Sequence, residues 1–136
     1  MWVHELLLND RVKGERTNEW IALSEAMIAD YQAEGQKVYA EAEERLKTRI
    51  EELTKLKDEK EERGEEDTKL DEQLMGARFN LPRTMYGHAQ LYGKDEFRRK
   101  DLLEAAIKLL QEFGLDYTGV VYSYQATILE GQCMKE

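Results

Sequence analysis

The chain has 136 residues, a length that suits one domain with one real core. Charged residues make up 36% and apolar ones 41%, a balance that fits a soluble, helix-rich protein and not a disordered one. The formal charge of −9 sets the overall field against duplex nucleic acid and anionic membrane, and no apolar run is long enough to span a bilayer.

The N-terminus has no basic segment followed by an apolar stretch and a cleavage site, so no secretory signal is expected. The single cysteine, Cys133, forbids an intrachain disulfide and suits a reducing compartment, so a cytoplasmic location is expected. His4 and His88 stand far apart with no Cys/His cluster around them, so neither a zinc site nor a cofactor is expected. Charge is blocked along the chain. Residues 30–75 carry nine cations and sixteen anions, whereas residues 76–100 carry six cations against two anions. One basic segment is thus embedded in an acidic protein.

The pattern predicts a long helix over residues 18–63. Trp20, Leu23, Met27, Tyr31, Val38, Ala42, Leu46, Ile50, Leu53 and Leu56 recur mostly at steps of three and four, with Glu34 as a polar gap. Thr17 or Asn18 would cap it, with Glu19 in the first turn where the helix dipole favours an anion. Glu41–Arg45, Glu43–Lys47, Glu51–Lys55 and Glu59–Arg63 have the i,i+4 spacing of helical ion pairs, each worth only ~0.2–0.5 kcal/mol. A helix of about 45 residues would be about 68 Å long, against a radius of gyration of roughly 14 Å for a compact chain of this size. Either Gly35 breaks it or its stripe is covered by another subunit; the second reading predicts a homo-oligomer.

Gly64, followed by three acids, predicts a stop and a new start, with a return helix over 66–79 carrying Leu70, Leu74 and Ala77. Pro82 pushes the residue before it out of helical geometry, so this helix should end by Asn80. Residues 80–94, with Gly87 and Gly93, then form a basic, tyrosine-bearing loop. An amphipathic helix follows over 95–113, with Phe97, Leu102, Leu103, Ala106, Ile107, Leu110 and Phe113 on its buried face, Gly114 as its stop and Leu115 as the apolar residue packing after it. Residues 119–129 are β-branched and aromatic and predict a strand, to be paired with residues 2–8 or 84–92. Trp2 and Trp20 are expected to anchor a core or subunit contact. The fold class is therefore mainly α with a small β element (α+β): a long helix and its hairpin return, a second amphipathic helix, and one or two strands.

The functional signal lies in the basic segment 78–100. Arg78, Arg83, Arg98, Arg99 and Lys100 supply positive charge, the arginines as planar forks suited to phosphate or carboxylate. Tyr86, His88 and Tyr92 lie among them and could stack or hydrogen-bond. The plain structural alternative is that these cations pair with nearby carboxylates and the tyrosines are half-buried core. The functional reading predicts a small non-enzymatic binding or regulatory protein that captures an anionic, nucleotide-like small molecule or an acidic protein partner. Its size and lack of catalytic motifs also suit an inhibitor carried by a phage or other mobile element.

Two other classes compete with this. The long stripe fits a coiled-coil assembly or adaptor protein with no small-molecule ligand. Glu41 with Glu44, and Glu59 with Glu62, have the i,i+3 spacing by which all-helical nucleotide pyrophosphatases hold Mg²⁺. In so glutamate-rich a helix that spacing also arises by chance. Nucleic-acid mimicry is disfavoured because cations are interspersed among the acids of residues 30–75. No nucleophile elbow, phosphate-binding loop or dinucleotide fingerprint is present, so no catalytic residue is assigned.

Overall fold

A computed structural model describes the backbone of residues 10–136 and the side chains from residue 18 onward. Four helices carry the described chain: α1 (Asp10–Glu62), α2 (Thr68–Ala89), α3 (Phe97–Asp116) and α4 (Val121–Lys135). No strand occurs among the described residues, so the expected α+β class is corrected to all-helical. The chain divides into two compact units, Met1–Glu34 and Gly35–Glu136. In the first unit the described residues are helical, and every side chain from Asn18 to Glu34 is exposed. The second unit holds the core.

That core is a three-helix seam. Leu103, Ala106, Leu110 and Phe113 recur at steps of three and four and bury one face of α3. Phe79, Leu81, Met85 and Ala89 of α2, and Ala126, Leu129 and Cys133 of α4, close over it. Phe79 is the aromatic hinge of the packing, its ring centroid 5.8 Å from Phe113 and 5.1 Å from Tyr122. A smaller cluster joins Leu53 of α1 to Leu70, Leu74 and Ala77 of α2.

The strand expected over 119–129 is the clearest correction. Gly119 takes a positive φ of 83°, and α4 begins two residues later. The Ser123 amide and hydroxyl both donate to the Val120 carbonyl and close the first turn. The physical reason is periodicity: Ala126, Leu129 and Cys133, with Tyr122 against Phe79, lie at steps of four, three and four. A helix buries that set on one face, whereas a strand would split it between two. β-propensity is a preference for a half-buried pleated surface, and here tertiary packing overrides it. The proposed partner strand 84–92 is helical through Ala89, and residues 2–8, with Trp2 and His4, lie outside the described residues.

The basic loop 80–94 is also corrected. α2 runs through Pro82 to Ala89. An interior proline removes one helical hydrogen bond and typically costs about 3 kcal/mol. Pro82 is among the most completely buried side chains of the chain, and packing of that order offsets the loss. Gly87 lets α1 and α2 approach, since a Cβ there would stand 3.0 Å from the Tyr39 ring and hydroxyl. Only the connection from Gln90 to Glu96 remains non-helical.

Helix boundaries move as well. α1 starts at Asp10, so Thr17 and Asn18 are interior residues and not caps. Gly35 does not break α1; it makes room for Leu91, whose Cδ1 would lie 2.9 Å from an added Cβ, while Gln36 Nε2 donates to the Leu91 carbonyl. Gly64, at φ 71°, ends the hairpin turn after α1. α3 continues past Gly114 to Asp116, leaving Leu115 82% exposed, and Phe97 is 77% exposed instead of opening the buried face. Among the expected i,i+4 pairs, Glu43 faces His88 and not Lys47, which pairs with Glu44.

Asp67 caps α2. Its carboxylate accepts from the Leu70 amide at 3.1 Å and from Lys60 Nζ at 2.6 Å. The Lys60 hydrogen bond, helped by the Leu70 amide, holds its pKa below the usual carboxylate value. A depressed carboxylate stabilises the fold above its unfolded pKa, and that contribution is lost as pH falls through the lower folded value. Asp67→Ala should therefore lower the thermal midpoint at neutral pH, with the gap to the parent narrowing below the ordinary carboxylate range in a pH series. Leu110→Ala, which empties the centre of the seam, should cost about 2–5 kcal/mol in urea unfolding.

Candidate functional site

The structure disperses the eight side chains singled out in the basic segment. Arg78, on α2, donates to Asp116 at 2.5 Å and to the Tyr117 hydroxyl at 3.5 Å, with its guanidinium carbon 5.2 Å from the Tyr117 ring centre. Burial works against its charge, but the bonds to Asp116 and Tyr117 outweigh that and raise its pKa above the ordinary arginine value. This arginine ties α2 to the end of α3. Arg83 is exposed beside a shallow cavity formed with Phe79, Gln125 and Ile128. Tyr86 is half-buried against the core. Arg98 and Lys100 are exposed on α3.

His88 and Tyr92 belong to a separate buried cluster. His88 Nδ1 and Glu43 share a hydrogen bond of 2.7 Å between α2 and α1, and both side chains are buried. The Tyr39 ring stacks on the imidazole at 5.9 Å, and the Tyr92 hydroxyl lies 3.5 Å from Nε2. Tyr39 and Tyr92 flank the imidazole, and His88 is only 5% exposed. The arrangement locks two helices together and offers no open face to a ligand.

Arg99 is the member of the segment that builds a site. It is only 6% exposed although it sits in the first turn of α3. Its Nη1 donates to the Tyr92 carbonyl at 3.0 Å, and its Nη2 reaches the Gln90 side chain at 3.4 Å and the Glu136 carboxylate. Its Nε is the one buried side-chain nitrogen or oxygen among the described residues that lacks a hydrogen-bond partner. Such an atom keeps its desolvation cost, of order 1–3 kcal/mol, uncompensated.

Around Arg99 lies a cavity of ≈ 370 Å³. Lys94, Arg99 and Lys100 bring positive charge to it; Leu103 and Ile107 of α3 and Met134 of α4 supply an aliphatic wall. Glu104 and Glu136 moderate the charge, and Cys133 closes the floor, its thiol pKa pushed up by burial and so held away from the reactive thiolate. Lys94 and Lys100 make no ion pair among the described residues. The site can hold an anion against an apolar body; it has no nucleophile–base pair.

Of the residues lining this cavity, sequence reasoning singles out Arg99 and Lys100 and leaves out Lys94 and the apolar half. Reading 119–129 as a strand separates Cys133 and Met134 from α3. The 122–126–129–133 period is the signal that would have placed them beside Leu103 and Ile107. For the hydrolase alternative, Glu41, Glu44, Glu59 and Glu62 are all exposed, Glu44 pairing with Lys47, and no group of three or more His, Cys, Asp or Glu among the described residues is placed to hold a metal ion.

The His88 cluster and the cavity are separable by mutation. Glu43→Ala strips a buried imidazole of its partner and should cost about 1–3 kcal/mol in urea unfolding, while affinity for an anionic probe at the Arg99 cavity stays unchanged in fluorescence titration. No protein-family model, curated protein or solved structure matches this chain, so the geometry of the cavity carries the functional reading alone.

Proposed function

We propose that this protein is a small non-enzymatic binding protein that captures an amphiphilic acid in the Arg99 cavity. The observation that supports this most is the meeting of Lys94, Arg99 and Lys100 with Leu103, Ile107 and Met134 around one space. Cations fix an acidic head, and an aliphatic wall takes an apolar body, the usual division of labour in small-molecule sites. No aromatic side chain lines the cavity, and Tyr86, His88 and Tyr92 are used elsewhere. The ligand class is therefore a carboxylate or phosphate on an aliphatic body, not a base stacked between rings. Capture without turnover fits a site of charges and aliphatic groups with a protonated, buried thiol.

Lys94 and Lys100 are the side chains to test, because both are exposed and Arg99 is built into the fold. Anilinonaphthalene sulfonate, an anionic dye with an apolar body, serves as the probe, with decanoate as competitor. The double variant Lys94→Glu/Lys100→Glu should weaken dye binding about tenfold, or about 1.4 kcal/mol, at unchanged helical circular dichroism. Arg98→Glu, exposed and outside the cavity lining, should leave it alone. Parent-like dye affinity in the double variant, or an equal loss in Arg98→Glu, would overturn the assignment.

A further inference from the structure

The first unit poses a different question, because its apolar stripe has charges of one sign only. Trp20, Leu23, Met27 and Tyr31 follow one another at helical spacing, and Ile21 and Ile28 widen the stripe on one side. All six are between 47% and 65% exposed, whereas Leu53, on the same helix in the second unit, is buried against α2. Contiguous apolar surface on a helix is the ordinary mark of a protein contact.

Charge narrows the choice of occupant. Between Asn18 and Glu34 there are four anions, Glu19, Glu25, Asp30 and Glu34, and no lysine or arginine. Helical spacing sets Glu19, Asp30 and Glu34 along the edge of the stripe opposite the isoleucines: Glu19 lies four before Leu23, Asp30 three after Met27, and Glu34 three after Tyr31. Beyond Glu34 the pattern changes, and cations alternate with the acids from Lys37 to Lys60. The stretch that is apolar and exposed is thus the stretch from which cations are missing. Pairing it with itself antiparallel sets acid against acid, and pairing it parallel sets the acidic edge against the isoleucines; in neither direction do the acids of this stretch meet a cation of the same stretch.

We infer that residues 18–34 form a docking surface for a basic amphipathic helix of another protein, one whose apolar seam lies on Leu23, Met27 and Tyr31 and whose lysines or arginines flank Glu19, Asp30 and Glu34. Recognition is helix on helix: apolar anchors at i, i+3 or i+4 and i+7 supply affinity, and opposite charges along the edge fix orientation and exclude acidic competitors. The inference does not rest on the Arg99 cavity, and failure of either leaves the other standing.

The test titrates the full chain calorimetrically with a leucine/lysine amphipathic peptide and with its leucine/glutamate counterpart. The lysine peptide should bind and the glutamate peptide should not. Leu23→Ser/Met27→Ser, and separately Glu19→Gln/Asp30→Asn/Glu34→Gln, should each weaken the lysine peptide about tenfold, with helical circular dichroism unchanged. Lys94→Glu/Lys100→Glu should have no effect on it. Equal binding of both peptides, or affinity indifferent to Leu23→Ser/Met27→Ser, would overturn the inference. So would a dimer in sedimentation that Leu23→Ser/Met27→Ser splits, because a second copy would then be the occupant, its Arg11, Lys13 and Arg16 stretch supplying the cations.

Discussion

The buried face of α3 is the constraint on which the second unit depends. Leu103, Ala106, Leu110 and Phe113 form one narrow apolar strip, and both α2 and α4 must lie against it to bury their own. With Ala106 wholly buried, the neighbouring helices can come close at mid-strip; at the far end Phe113 meets Phe79 of α2, whose ring also meets Tyr122 of α4. The cavity lies at the opposite end, where Leu103 and Ile107 are met by the last turn of α4. Site and core are two ends of one strip.

This arrangement explains why a basic segment does not make a basic patch. Six cations fall within residues 76–100, but the helices turn them to separate tasks. Arg78 is spent on Asp116 and Tyr117 at the Phe113 end. Arg99 is spent on the connection after α2, bonding the Tyr92 carbonyl and the Gln90 side chain. Both are arginines at places where several fixed acceptors must be reached, Arg78 from a half-buried and Arg99 from a buried position, a task suited to a planar fork of donors. Lysines and arginines left in solvent keep their charge for a ligand: Arg83 stands alone beside Phe79 and Ile128, whereas Lys94 and Lys100 join Arg99 around the aliphatic wall of Leu103, Ile107 and Met134.

Much of the fold was legible where periodicity and punctuation agreed. The α1 stripe near Leu53, the stop at Gly64 and the α3 face from Leu103 to Phe113 follow from spacing alone. Propensity misled where packing decided the outcome. Val120, Val121, Tyr122 and Tyr124 favour a strand as residue types, yet the buried subset around Ala126 and Leu129 is helical. Pro82 argues for a helix end as a residue type, yet complete burial holds it inside α2. Gly35 looks like a break and is a contact. Of the cavity, Arg99 and Lys100 stood out because charge is local in sequence, while Lys94 was not singled out and the wall from Met134 was not visible, because it depends on how α4 returns to α3.

The contact between Arg99 and the Glu136 carboxylate has a thermodynamic consequence for any acid that enters the cavity. The guanidinium already has an anionic companion, so an incoming head group at that position replaces one carboxylate by another and does not neutralise a bare charge. Such an exchange leaves the ion count at the arginine unaltered, and the displaced glutamate recovers its hydration. Counter-ion release on binding then comes from Lys94 and Lys100 alone. The arginine would contribute geometry to selection, and the lysines would set how strongly association responds to ionic strength.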